Sequence, residues 1–191
     1  HRLPRHESVV WPASHCPSCA SPVAVYDNIP VLSYLLLGGR CRTCHALISL
    51  QYPIVELTNG AGYGLILWQF GLEWYSAVYA ILFSALLVIS AIDLSHQIIP
   101  DRITLPGIVL GLLCASTILP VGLLDSVLGV LVGGGLLWAL AWASPYLFGK
   151  EGMGGGDIKL LAMIGAFLGW KPVLLTIMVG AESGGPNLIE A

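Results

Sequence analysis

The chain has 191 residues, of which 56% are hydrophobic and only 10% are charged, and its formal net charge is −3. Its mean hydropathy is +0.82. Soluble globular domains carry about 25% charged residues, so this composition excludes an ordinary soluble enzyme and indicates an integral membrane protein. We expect the protein to lie in the lipid bilayer and not to bind nucleic acid.

Residues 1–52 are polar and interrupted by prolines, and they contain four of the five cysteines. The cysteines form two CxxC pairs, Cys16/Cys19 and Cys41/Cys44, separated by 21 residues. This spacing is slightly longer than usual for a four-cysteine zinc site. We predict a small zinc-binding domain in which four thiolates leave no open position on the metal, so that the zinc is structural. The alternative is that the thiols are free or redox-active. Three nearby histidines could replace a cysteine ligand, but we expect them to be solvated; they are His6, His15 and His45.

The remaining chain contains apolar segments of the length that crosses a bilayer, about 20 residues for a hydrocarbon core of about 30 Å. A fifth region, 158–181, is interrupted at 169–172, which predicts either one kinked span or two short helices. We therefore expect an all-α, polytopic membrane helix bundle over residues 53–182 with five or six membrane segments. The polar residues 183–191 are interpreted as an atypical tail of artificial or alternative origin and are left out of the fold. The first four predicted spans are 53–70, 74–92, 103–120 and 123–148.

The distribution of basic residues predicts the orientation of the bundle. Apart from Lys171, the Arg and Lys residues lie in the first domain and around the turns after the second and fourth spans, whereas the turns at 71–73 and near 122 contain none. By the positive-inside rule, the first domain and the two basic turns face the cytoplasm. Reducing conditions there disfavour disulfides, which strengthens the zinc prediction.

Asp93 and Asp157 lie at those two cytoplasmic turns, so both carboxylates are expected at one face of the membrane. An ionisable group at this depth is costly and is a functional-site hypothesis by default. Each alone is explained as well by helix capping, with Asp157 as the N-cap of a helix beginning at Ile158. The pair favours an aspartyl protease, because two carboxylates that share one proton provide an acid and a base at working pH. The two roles belong to the pair and are not assigned to either residue.

Two glycine clusters are interpreted differently. The cluster 154–156 directly precedes Asp157, and residues without Cβ allow a peptide backbone to approach closely; the alternative is a flexible turn. The cluster 133–135 lies inside the fourth span and indicates close helix packing through small residues.

Four stretches of the sequence resemble the signature regions of the type IV prepilin peptidases: GMGGGDIKLLAMIGAFLG, IDLSHQIIPDRITLP, YDNIPVLSYLLLGGRCRTC and QYPIVELTNG. The resemblance covers the chain from Arg2 to about Ala181, and the combination is specific even though Gly-x-Gly-Asp alone is shared with presenilin-like proteases. It implies that Asp93 and Asp157 are the catalytic aspartates. The residues expected to support the active site are Gly154, Gly156, Asp101, Lys159 and Glu56.

The resemblance also implies a reaction and a location. Members of the family cleave the leader peptide of prepilins of type IV pili or of type II secretion pseudopilins, on the cytoplasmic side of the bacterial inner membrane. Bifunctional members also N-methylate the newly exposed residue with S-adenosylmethionine, and the two CxxC pairs favour this type. Gln51 stands where a basic residue is common, which weakens the methyl-transfer prediction. Because the family has a membrane helix before this point, we also expect the chain to lack its first span.

Two supporting residues have alternatives of their own. Glu56 is expected to contact the cytoplasmic domain or the methyl-transfer site, or else its carboxylate extends to the membrane interface. Asp101 is expected to brace its turn and not to take part in cleavage.

Two other functions stay open. The first is a peptidase without methyltransferase activity, which could dispense with the cysteine domain. The second is a non-enzymatic membrane transport or assembly protein, in which the zinc domain docks a partner and the aspartates line a proton or cation path.

Overall fold

The computed structural model describes residues 15–148 and 154–183. In these two ranges the secondary structure is helical apart from turns and two isolated β-bridges, so the all-α prediction is confirmed. A π-helical segment, Leu131–Gly135, joins two of the helices into one continuous rod. The α-helices are α1 (Leu32–Leu36), α2 (Gln51–Phe70), α3 (Trp74–His96), α4 (Asp101–Thr117), α5 (Leu123–Val130), α6 (Leu136–Phe148), α7 (Gly155–Leu168) and α8 (Trp170–Ser183).

Two helical segments of the described chain are long and apolar enough to cross a membrane, Trp74–His96 and Leu123–Ala143. α2 is also 20 residues long but carries polar groups near its start, and α4, α7 and α8 are shorter. The interrupted fifth region forms two helices, because Gly169 adopts φ +79° between α7 and α8. The structure therefore supports a membrane protein, and the number of five or six spans stays a prediction.

Two predicted helix ends are wrong, and both errors concern the aspartates. α3 does not stop at Ile92 but continues to His96, where Gln97 adopts φ +52° and its N–H donates to the Asp93 carbonyl over 2.7 Å. No Gly or Pro interrupts this stretch before Pro100, so the helix extends through Asp93. α7 begins at Gly155 with Gly154 as its N-cap, so Asp157 is not an N-cap but lies in the first turn of the helix.

The central part of the bundle is packed through glycines. A Cβ on Gly133 would lie 2.6 Å from the carbonyl oxygen of Leu161, and one on Gly111 would lie 2.7 Å from the Cβ of Ala166. α4 and the rod of α5 and the π segment thus approach α7 more closely than larger side chains allow. The predicted packing role of the 133–135 cluster is confirmed for Gly133 and Gly134. The buried core beside this contact consists of Leu82, Ile89, Ala115, Leu119, Met163, Ala166 and Phe167.

α2 and α3 form a hairpin whose seam contains polar contacts. The hydroxyl of Ser84 on α3 donates to the amide oxygen of Asn59 on α2 over 3.0 Å and lies 2.6 Å from the hydroxyl of Tyr63. Such interhelical hydrogen bonds hold membrane helices together where apolar burial alone provides little driving force.

Candidate functional site

The two aspartates are presented by different helices at the same end of the bundle. Asp93 lies in the last turn of α3 and Asp157 in the first turn of α7. Both residues are exposed, so water can reach both carboxylates. Two carboxylates at one end of the bundle are the groups that an aspartyl protease needs, one to hold a proton while the other is ionised.

A side chain larger than that of glycine would not fit directly before Asp157. A Cβ on Gly156 would lie 2.8 Å from the Cβ of Ile99, in the segment that connects α3 to α4. The first turn of α7 therefore rests against the connection that follows Asp93, and only a glycine allows this approach. Gly154 is different, since an added Cβ there would meet nothing closer than 3.7 Å.

Asp101 and Lys159 form an ion pair between the start of α4 and the start of α7. The Lys159 ammonium lies 2.8 Å and 2.7 Å from the two carboxylate oxygens of Asp101. Their side chains are 38% and 52% exposed, so the pair contributes at most about 1 kcal/mol to stability. Its geometric effect is to hold the start of α4 against the start of α7, in keeping with the bracing expected of Asp101.

Glu56 links α2 to the first domain. Its carboxylate accepts a hydrogen bond from the backbone N–H of Val31 over 2.7 Å. Val31 has φ +59°, a conformation that β-branched residues rarely adopt. Of the two interpretations of Glu56, the structure favours the contact with the first domain.

Gln51 is a residue whose contacts sequence reasoning missed. Its side-chain amide donates to the carbonyl oxygen of Ala91 and lies within hydrogen-bond distance of the hydroxyl of Ser95, both at 3.3 Å. These two groups bracket Asp93 in the last turn of α3. The available signal was a polar residue at the start of an apolar segment, but nothing local indicates its partners 40 and 44 residues away.

The four predicted zinc ligands come together. The Sγ atoms of Cys16, Cys19, Cys41 and Cys44 all lie within 4.8 Å of one another, and all four cysteines are free of disulfides. The Cys16 and Cys44 sulfurs are 3.7 Å apart. Four sulfurs about 2.3 Å from a tetrahedral zinc ion are about 3.8 Å apart, so the cluster fits the metal.

The two CxxC pairs sit in two copies of the same turn. In the first, the N–H of Cys16 donates to the Ser21 carbonyl and the N–H of Ala20 to the Cys16 carbonyl. In the second, the N–H of Cys41 donates to the Ala46 carbonyl and the N–H of His45 to the Cys41 carbonyl. Ala20 and His45 occupy equivalent positions, with φ +56° and +57°. Neither His15 nor His45 belongs to the thiol cluster, and His6 lies outside the described residues.

The electrostatics of the cluster favour a cation. Backbone N–H groups of Cys44 and Thr43 lower the pKa of Cys41 to about 6. The hydroxyl of Ser21 lowers the pKa of Cys19. The N–H of Ala46 also lowers the pKa of Cys44, but burial and the neighbouring thiols outweigh it and raise that pKa to about 12. Because four thiolates this close repel one another, a bound cation is needed to keep all four ionised.

Arg42, inside the second CxxC pair, fixes that turn to the rest of the domain. Its guanidinium forms two hydrogen bonds with Asp27, of 2.6 Å and 2.8 Å, and lies 5.3 Å from the ring centre of Tyr26. This ion pair holds the pKa of the Asp27 carboxyl below its usual range.

Comparison with known proteins identifies the family. Residues 80–189 match the model of the type IV leader peptidase family, which is more than half of the chain. The chain belongs to that family. Residues 1–70 match the model of the bacterial peptidase A24 N-terminal domain, which extends past the predicted domain boundary at 52 and includes α2.

Several curated relatives named prepilin leader peptidase/N-methyltransferase are similar to this member of the family. The protein from Stutzerimonas stutzeri is 43% identical over 91% of this chain and 60% of its own length. Those from Pseudomonas aeruginosa and Neisseria gonorrhoeae are 41% and 42% identical, each over 93% of this chain, and over 61% and 62% of their own lengths. The chain thus spans about three fifths of these relatives. No solved structure matches it.

These findings confirm the family predicted from the four signature stretches. They do not favour the transport or assembly alternative, and the relatives' shared name does not favour a peptidase without methyltransferase activity. The catalytic and supporting roles of individual residues stay predictions.

Proposed function

We propose that the protein is a membrane-embedded aspartyl endopeptidase that removes the leader peptide of type IV prepilins or type II secretion pseudopilins, with Asp93 and Asp157 as its catalytic pair. The observation that carries the proposal is that α3 and α7 place Asp93 and Asp157 at the same end of the bundle, where Gly156 lies against Ile99, in a leader peptidase family member. The relatives' name for the same activity supports it.

The chemistry follows from the shared proton. The ionised aspartate accepts a proton from a water molecule as the water oxygen attacks the carbonyl carbon of the scissile peptide. The protonated aspartate donates its proton to the carbonyl oxygen. The aspartate that took up the water proton then passes it to the amine nitrogen, the C–N bond breaks, and the other aspartate takes back the hydroxyl proton as the carboxyl product forms, which restores the pair. Since both groups titrate as one unit, the first acceptor is not assigned to either residue.

A second activity belongs to the same proposal. The relatives are named for N-methyl transfer as well as for cleavage. In this chain the methyl donor is S-adenosylmethionine, and the acceptor is the amino group that cleavage releases. The zinc ion is held by Cys16, Cys19, Cys41 and Cys44 and supplies structural stability to the first domain, since four protein ligands leave no position for a reactant.

The orientation is also proposed. The zinc domain and the ends of α3 and α7 that carry the aspartates face the cytoplasm of a bacterial inner membrane. Support comes from the basic residues Arg40, Arg42, Arg102 and Lys159, which lie in the first domain or beside the aspartates.

The test is coexpression of the full-length protein with a prepilin, followed by mass spectrometry of the pilin N-terminus. The unmodified protein should yield a cut and methylated product, and Asp93→Asn and Asp157→Asn should each reduce cutting by a factor of 1,000 or more, on the order of other catalytic knockouts. Asp125→Asn is the matched control, because Asp125 is an exposed aspartate in the first turn of α5, away from the pair. Full cutting by either of the first two variants would refute the proposal.

A further inference from the structure

A cavity of about 330 Å³ lies between α2 and α3, on the side of α3 next to Asp93. Its apolar wall includes Val55, Val88 and Ile92, and its polar wall includes Glu56, Ser95 and His96. The volume is within the range of small-molecule sites, and an apolar cavity with a few polar groups is the usual composition of such sites. Four lining residues, Ala91, Ile92, Ser95 and His96, lie on both sides of Asp93 in the sequence, so the cavity borders the end of α3 that carries Asp93, although Asp93 is not among its lining residues.

Glu56 carries the carboxylate of this cavity, whose other polar lining residues are Gln51, Tyr52, Ser95 and His96. One carboxylate oxygen of Glu56 accepts from the backbone N–H of Val31, and no Lys or Arg is among the described residues that line the cavity. Gln51 uses its amide nitrogen toward α3, which leaves its carbonyl oxygen as an acceptor. A carboxylate beside apolar walls, with no Lys or Arg among those lining residues, is suited to a positively charged donor.

We propose that this cavity binds a primary ammonium group attached to an apolar side chain. The carboxylate of Glu56 would hold the ammonium, while Val55, Val88 and Ile92 would surround the side chain. This inference rests on the proposed function, because leader cleavage releases a new amino group at the end of α3 that carries Asp93. The cavity would thereby keep the amino group of the cut product next to the catalytic end of the bundle.

A second cavity provides an internal comparison. It lies at the opposite end of the α2–α3 hairpin and also contains a glutamate, Glu73, among apolar residues such as Leu67 and Ala77. Its volume is about 380 Å³, close to that of the first cavity. A molecule that binds any glutamate among apolar residues would bind in both cavities.

Binding of a small amine tests the proposal without any cleavage. The probe is phenylalaninamide, added to the full-length protein in lipid nanodiscs and followed by saturation-transfer NMR. N-acetylphenylalaninamide lacks the charge, and glycinamide lacks the apolar side chain. Phenylalaninamide should bind, and each comparison compound should bind at least about tenfold more weakly, since a charge-assisted hydrogen bond or a buried apolar side chain each account for about that factor.

Two variants locate the site. Glu56→Gln keeps an oxygen that can accept from Val31 and removes the charge, and it should weaken phenylalaninamide binding about tenfold or more. Val88→Phe fills the cavity and leaves the carboxylate, and it should weaken binding to a similar extent. Glu73→Gln is the matched control and should leave binding unchanged. Zinc content and thermal melting of each variant show whether the fold is intact.

The outcomes separate this inference from the proposed function. Unchanged binding in Glu56→Gln or in a folded Val88→Phe, loss of binding in Glu73→Gln instead, or no binding to the unmodified protein would each overturn the cavity assignment. Failure of the unmodified protein to cut a prepilin would overturn the proposed function and leave the amine-binding result to stand by itself.

Discussion

The two candidate catalytic aspartates belong to regions that are held together in different ways. Asp157 lies on α7, which packs against α4 and the α5 rod through Gly111, Gly129 and Gly133 and is positioned by direct backbone contact. Asp93 lies on α3, whose partner α2 is joined to it by side-chain hydrogen bonds from Gln51 and through Ser84. Close backbone packing leaves few alternative positions, whereas hydrogen bonds between side chains can be broken one at a time.

The difference suggests which aspartate is adjustable. α7 is surrounded by neighbours and contains six buried residues, including Met163 and Ala166. α3 contributes Leu82 and Ile89 to the same core, but its partner α2 contains only two buried residues and is tied at its start to the first domain through Glu56 and Val31. Any change in the zinc domain therefore has a direct connection to the helix pair that carries Asp93, and no such connection to α7 is present among the described hydrogen bonds. We therefore expect the position of Asp93 to depend more on the first domain than that of Asp157 does.

Removal of zinc should produce the largest effect. Structural zinc contributes about 10 kcal/mol or more to folding in small four-ligand sites, so chelation or a Cys16/Cys19 double-serine variant should unfold the first domain. Hydrogen exchange should then rise in the first domain and at the start of α2, while α7 stays protected. Cutting should persist at a reduced rate and methylation should be lost. Equal loss of protection in α7 would contradict the separation between the two regions.

A larger residue at the glycine contact should have the next largest effect. A Cβ on Gly165 would overlap the backbone of Gly129. Gly165→Ala should therefore force α5 and α7 apart and lower the free energy of unfolding by about 1–3 kcal/mol, measured by thermal or denaturant unfolding in detergent.

The matched control for this change is Gly64→Ala on α2. An added Cβ there meets nothing within 4 Å, so the substitution should be neutral or slightly stabilising. If the two variants unfold alike, the contrast between a glycine-packed region and a hydrogen-bonded hairpin is wrong.

Loss of the Gln51 contacts should have a smaller effect on stability and a measurable effect on the position of Asp93. Gln51→Ala removes the hydrogen bonds to Ala91 and Ser95, worth about 1 kcal/mol each at most in this partly exposed setting. We expect faster hydrogen exchange in the last turn of α3 and a severalfold fall in kcat for cleavage with little change in KM, since the catalytic carboxylate and not substrate binding is displaced. Gln69→Ala, at the exposed far end of α2, is the control. A change in KM alone would assign Gln51 to substrate binding.

Some features of the fold could be predicted from the sequence and others could not. Features that depend on composition and local spacing were predictable: helical segments, two CxxC turns, glycines at close contacts and the ends of apolar segments that bring Asp93 and Asp157 to one face. The exact ends of α3 and α7 were not, because the left-handed conformation of Gln97 and the extended conformation of Gly154 are settled by local geometry that the residue types alone leave open.

The sequence also could not predict which residues form the long-range polar contacts. Glu56 and Val31 are 25 residues apart, and Gln51 and Ser95 are 44 apart. Each pair requires the hairpin and the first domain to be placed first, so neither residue type nor spacing identifies the partner. The family resemblance identified Glu56 as a supporting residue but treated Gln51 only as a departure, although its hydrogen bonds hold the turn that carries Asp93.

The smallest expected effect concerns Asp27 and Arg42 in the first domain. Because Arg42 lowers the pKa of Asp27 below its usual value of 3.8, the ion pair contributes stability that is fully present above that value and is lost only as pH falls through the lowered pKa. Asp27→Asn should therefore release zinc to a chelator somewhat more readily than the unmodified protein, and the difference between the two should be constant from pH 7 to pH 5. A difference that shrinks within this range would mean that Asp27 already takes up a proton there and that Arg42 does not hold its carboxylate. The α7 region carries no part of this contact, so its unfolding should be the same in both proteins at every pH tested.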